Sequence, residues 1–127
     1  MKVNNFHIQI TSEDPDRLKR FYRDTVGLPN VPEMGDGAFA VGGANLFVDG
    51  HSETKGQARE PQRMLVDLVV DDAAAERARL EGQGVEFIRR EGKEEWGGTI
   101  STFLDPDGNY CQLVQYPQGQ AAFSDTK

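Results

Sequence analysis

Two stretches of this chain carry the same succession of hydrophobic and polar positions. The first opens with Phe6-His7-Ile8-Gln9-Ile10-Thr11, where apolar and polar side chains alternate as they do along a half-buried strand. Asp14-Pro15-Asp16 then offers a helix N-cap followed by proline at the first helical position, where its missing N–H costs nothing. Leu18, Phe21, Tyr22 and Val26 recur at helical spacing, and Gly27 supplies the stop. Short strand-like pieces follow at 38–41 and 45–49, divided by Gly42-Gly43. The second stretch repeats the order. A strand pattern over 64–70 precedes Asp72, which caps an Ala-rich helix holding Ala74, Ala78 and Leu80 and ending at Gly82 and Gly84. Strands are then predicted over 85–89, 99–104 and 109–116. Between the last two, Asp105-Pro106-Asp107-Gly108 has the residues of a tight turn in their preferred places.

The pattern predicts an α+β fold of two βαβββ modules in tandem, forming one domain over residues 1–127. The first module covers about 5–50 and the second about 62–116. The polar segment 51–61 reads as a linker and 117–127 as a loosely held tail. One module alone would leave a sheet face covered by nothing but a single helix. Two modules side by side would curl their strands into a mixed sheet around a shared trough, with the helices outside. Such a trough is a ready pocket, lined by alternate residues of each strand.

Composition narrows the partners. The formal net charge is −7, and no cluster of Lys and Arg is present, which argues against nucleic acid, whose phosphates need such clusters. No apolar run approaches the length of a membrane span, since Asp67 interrupts even the densest one, 65–70. The opening Met1-Lys2-Val3-Asn4-Asn5 lacks the apolar core of a secretion signal, and the single Cys111 rules out an intrachain disulfide. The expected location is a reducing cytoplasm.

The segments His7-Ile8-Gln9-Ile10, Asp14, Arg17-Leu18, Phe21-Tyr22 and Gly27-Leu28, together with Phe103-Leu104-Asp105-Pro106-Asp107-Gly108-Asn109 and Gln112-Leu113, carry a resemblance. In order and spacing they resemble the vicinal oxygen chelate superfamily, which holds glyoxalase I, the bleomycin-resistance proteins and the extradiol dioxygenases. The resemblance spans roughly residues 5–116. It implies paired modules, commonly a homodimer, and a chemistry ranging from metal enzymes to binding proteins without catalysis. The metal enzymes of that superfamily draw ligands from the first and last strand of each module. Carried over, the first position falls on His7. The second falls within 45–47, on Asn45, Leu46 or Phe47, none of them a metal-binding His, Glu or Asp. The third falls on Leu65, with Met64 beside it, and the fourth on Gln112, where the superfamily's enzymes carry Glu. One imidazole and one neutral amide fall short of the three ligands that catalytic divalent sites commonly use.

The leading expectation is therefore metal-independent binding of a small organic molecule, aromatic or amphipathic, with no cofactor. The pocket would be lined by His7, Gln9, Asn45, Phe47, Leu65, Asp67, Trp96, Phe103, Tyr110 and Gln112. The amides of Gln9 and Gln112 would orient the guest, and the aromatic side chains would form walls. Asp67, an acid inside an apolar strand, would face the trough, water or a basic partner, because an unpaired buried carboxylate is costly. Cys111 alternates with Gln112 and should lie buried and inert on the helix side. His7 is either a pocket-lining hydrogen-bonder or a general base. Two alternatives stay open. One is a metal-dependent lyase, isomerase or dioxygenase holding one divalent ion through His7, Gln112 and Asp67. The other is a dimeric interaction module whose pocket is vestigial.

Overall fold

The computed structural model describes residues 1–117, so most of the segment read as a tail lies outside the described residues. The architecture is α+β, with two sheets of three and four strands, neither of them closed. The chain divides into two compact units, the first spanning Met1–Ala58 and the second beginning at Arg59. The division falls inside the segment read as a linker.

In the first unit, strand β1 (His7–Ser12) leads into helix α1 (Pro15–Arg20). The Asp14 carboxylate caps α1 by accepting from the Arg17 N–H, and Pro15 opens the first turn, as the sequence predicts. The helix does not run on regularly. From Phe21 to Val26 it widens into a π-helical turn and stops at Gly27, whose φ of 89° lies in the left-handed region that glycine enters without steric cost. Leu18, Tyr22 and Val26 are buried. Strands β2 (Ala38–Val41) and β3 (Ala44–Gly50) complete a sheet in the order β1-β3-β2, with β1 parallel to β3. The remaining strand of the expected βαβββ order is reduced to a single antiparallel bridge, Asn30–Phe39. Pro29 and Pro32 flank it, and proline has no N–H to give a ladder. The segment read as a linker is tied down at its start. Thr54 Oγ1 lies 2.7 Å from Thr11 Oγ1, and the Gly56 N–H donates to Glu13 Oε1 at 2.9 Å.

In the second unit, β4 (Val66–Val69) leads into helix α2 (Ala73–Gly82), which Asp72 caps through the Ala75 N–H at 3.0 Å. Strands β5 (Phe87–Lys93), β6 (Thr99–Leu104) and β7 (Tyr110–Gln115) follow. The sheet order is β4-β7-β6-β5, with β4 and β7 parallel and the rest antiparallel. Strand β5 runs past its expected end at 89, with two register shifts against β6. The charged residues there are occupied by the helix. Arg77 pairs with Glu81 and Glu91, and Arg90 pairs with Glu81.

The sheet face beneath α2 holds Leu68, Phe103, Cys111 and Leu113, all buried, together with Ser101. Cys111 therefore sits where alternation places it. The Ser101 hydroxyl is buried and has no hydrogen-bond partner among the described residues. A buried hydroxyl without a partner costs free energy that an alanine would not. Ser101→Ala is expected to stabilise the fold by about 1 kcal/mol, a melting temperature higher by roughly 3–5 °C for a domain of this size. Thermal unfolding followed by circular dichroism checks it.

Candidate functional site

Side chains alternate across a sheet, so the strand register decides which residues meet on the face turned away from each helix. In the second unit Asp67 is in register with Gln112, Gln112 with Thr102, and Thr102 with Arg89. These four side chains form one polar row across four strands. Gln112 Nε2 donates to Thr102 Oγ1 at 3.1 Å, which leaves the amide oxygen and the second N–H of Gln112. Arg89 Nη2 donates to Glu94 Oε2 at 2.6 Å, so the guanidinium at one end of the row is already neutralised. At the other end Asp67 makes no hydrogen bond or ion pair among the described residues. Its carboxyl is pushed above the ordinary range by desolvation, with no neighbouring charge to oppose it.

Along the edge strand, alternation puts Leu65 and Val69 on either side of Asp67. They are 45% and 51% exposed. Tyr110 precedes Gln112 on the same face of β7, in register with Leu104. Trp96 lies in the turn between β5 and β6, with its ring 5.0 Å from that of Tyr116. The indole lies over Gly98, where an added Cβ would sit 1.9 Å from Trp96 Cζ3. Only a residue without a side chain admits the ring there.

In the first unit the face opposite α1 carries His7 and Asn45 in register, and beside them Gln9 and Phe47. The His7 imidazole stacks flat on the Phe47 ring, with centroids 4.2 Å apart and planes 5° from parallel. Asn45 Nδ2 donates to the Phe39 carbonyl at 3.3 Å. Within each unit, then, the structure brings most of the expected pocket residues onto one face: His7, Gln9, Asn45 and Phe47 in the first, Leu65, Asp67, Tyr110 and Gln112 in the second. Phe103 is a correction. It is in register with Cys111 and Phe87, fully buried, and its ring lies 5.3 Å from Phe87 on the helix side, so it is core rather than pocket wall. Thr102 and Arg89 join the row without having been expected from sequence. Alternation from Thr102 to Phe103 carried a signal for the first, whereas the register shifts in β5 hid the second.

The donor set does not suit a divalent ion. No group of three or more His, Cys, Asp or Glu side chains that could hold one occurs among the described residues. The face of the first unit turned away from α1 offers the imidazole of His7. The second offers one carboxylate, Asp67, beside one amide oxygen, and Leu65 cannot ligate at all. A catalytic Zn²⁺, Fe²⁺ or Ni²⁺ commonly takes about three protein ligands.

Comparisons with known proteins accord with this geometry. Residues 6–113 match the family model described as the Glyoxalase/Bleomycin resistance protein/Dioxygenase superfamily. Among curated proteins none matches in sequence. Among solved structures, a glyoxalase/bleomycin resistance protein/dioxygenase family enzyme from Burkholderia phytofirmans PsJN superposes with a TM-score of 0.71 at 16% identity, covering 87% of this chain and 97% of that one. A superfamily member from Sphaerobacter thermophilus DSM 20745 gives 0.71 at 19% identity, with coverages of 90% and 98%. A structure from the mobile metagenome of V. Pseudocholerae gives 0.67 at 26% identity, with coverages of 92% and 98%.

Proposed function

This chain belongs to the glyoxalase/bleomycin resistance protein/dioxygenase superfamily, and within it we propose that it binds a small organic molecule, aromatic or amphipathic, without a divalent metal. One observation carries the reading. Of the two positions that would supply the second module's metal ligands, one is the aliphatic Leu65 and the other the neutral Gln112, with Asp67 in register beside Gln112 and the exposed side chains of Leu65 and Val69 on either side of Asp67. Carboxylate, amide and aliphatic groups side by side are the lining of an organic ligand site, where a few polar groups orient and apolar surface supplies affinity. The stacked His7 and Phe47 rings offer a second flat surface of the same character.

On this reading no metal is a cofactor, and nucleic acid and membrane are not partners. No helix among the described residues is long and apolar enough to cross a membrane. The protein works in the cytoplasm as a homodimer, as membership of the superfamily commonly implies. The metal-dependent lyase, isomerase or dioxygenase and the vestigial interaction module find no comparable support in the site's residues.

The test is elemental analysis of protein purified without a polyhistidine tag, with thermal shifts on adding Ni²⁺, Zn²⁺, Mn²⁺ or Fe²⁺, followed by a ligand screen with and without chelator. A metal at a hundred times its dissociation constant would add about 2.7 kcal/mol to the native state. The expected results are no stoichiometric metal, no rise in melting temperature, and saturable organic binding indifferent to chelator. One metal per chain, lost in His7→Ala, would overturn the proposal in favour of an enzyme.

A further inference from the structure

Resting on the organic-ligand reading, we infer that the guest is an amphipathic organic cation, with Asp67 as the anion that receives its ammonium or amidinium group. The polar row is asymmetric. The positive end is cancelled within the protein, since Arg89 is bound to Glu94. In the middle, Gln112 gives one amide N–H to Thr102 and keeps its carbonyl oxygen and a second N–H. At the open end Asp67 has no partner among the described residues. Adjacent positions of this row therefore present acceptors, a carboxylate and an amide oxygen, and no unspent cation.

A ligand complementary to that pair brings positive charge and N–H donors together. The flanks add the second requirement. Leu65 and Val69 stand 45% and 51% exposed on either side of the carboxylate, so a guest that satisfies the face must also carry apolar surface next to its cationic centre. A neutral aromatic would leave the carboxylate unpaired, and an anion would be repelled by it. Partial desolvation disfavours the ionised carboxylate, and the charge of an arriving cation offsets that cost where a neutral guest does not.

The experiment titrates the protein at neutral pH with three probes of matched shape: 4-phenylbutylammonium, 4-phenylbutanol and 4-phenylbutanoate. Binding is followed by backbone amide chemical shifts. Wild type is expected to bind the ammonium at least ten-fold more tightly than the alcohol, and the butanoate least. Asp67→Asn should bring ammonium and alcohol within about two-fold of each other while leaving the alcohol's affinity unchanged. Asp67 is exposed and unpartnered, so this variant folds as wild type does, and a matching melting curve confirms it. Asp16→Asn, an equal change of net charge in the first turn of α1, should leave the ammonium preference intact.

Equal binding of ammonium and alcohol to wild type, or a preference for the butanoate, would overturn the cation assignment while the organic-ligand proposal stood. A preference that survives Asp67→Asn would overturn the role of Asp67. If Asp67→Asn instead tightens self-association while the probes bind without preference, a second copy covers this face and the inference fails. Absence of saturation by all three probes would overturn this inference, and an equally empty broad screen would overturn the organic-ligand reading itself.

Discussion

Phe103→Ala is expected to destabilise the protein by about 3–5 kcal/mol, the range for truncating a fully buried phenylalanine. Phe103 has no exposed surface. Its neighbours in register are Cys111 on one side and Phe87 on the other, and α2 covers the same face with Leu80, which is itself buried. Truncation would remove the ring's transfer free energy and leave a cavity that rigid strands on both sides cannot close. A domain of this kind has a total stability of only about 5–15 kcal/mol, so the variant should unfold at much lower urea concentration. Phe103→Leu, which keeps most of the volume, should lose less than half as much. A pocket-wall phenylalanine would behave otherwise: truncation would cost little stability and would weaken ligand binding. Urea unfolding of the two variants separates the cases, and an alanine variant as stable as wild type would return Phe103 to the pocket.

Phe103 also shows where the sequence stops being legible. Alternation within one strand is written in the residues, and it placed Gln112 and Cys111 on opposite faces of β7 correctly. The register between strands is not written there. Only the β6–β7 pairing reveals that Phe103 shares a face with Cys111 and Thr102 with Gln112. The elements with local chemistry were readable: the Asp14 and Asp72 caps, the Gly27 stop, and β6 ending at its Asp105–Gly108 turn. Those shaped by distant partners were not. Strand β5 continues to Lys93 across an irregularity at Arg90 and Glu91, whose side chains pair with Glu81 and Arg77 on α2, contacts no window of sequence displays. The π-helical turn at 21–26 likewise leaves Leu18, Tyr22 and Val26 on one buried face, so the spacing that predicts a regular helix persists where the helix is not regular. Of the site, the individual residues were legible and the row was not. Arg89 reached it through a bulged strand, and its cancellation by Glu94 is a matter of three-dimensional proximity.

Asp105→Ala is expected to cost about 2–4 kcal/mol, from the loss of several hydrogen bonds to one nearly buried charged group. The Asp105 carboxylate accepts from the Asp107 N–H at 2.9 Å, the Asn109 N–H at 2.9 Å and Asn109 Nδ2 at 2.8 Å. Its backbone closes the same loop, donating to the Asn109 carbonyl and accepting from the Gly108 N–H. Alanine would strand two backbone donors in a turn where Asp105 and Asp107 are each at most 5% exposed, so water cannot readily replace the carboxylate. Asp105→Asn keeps one carbonyl oxygen for the backbone donors and should lose roughly half as much, because its amide nitrogen faces the Asn109 amide that formerly donated to it. The consequence reaches the candidate site. This turn joins β6 to β7 and sets the register in which Thr102 meets Gln112. Amide hydrogen exchange should therefore show lost protection in both strands of the alanine variant and weaker loss in the asparagine variant. Protection unchanged in β6 and β7 would mean that the register is held elsewhere. This turn, one of the segments that carry the resemblance to the superfamily, is on this account a clamp on strand pairing, and it holds the polar row in place.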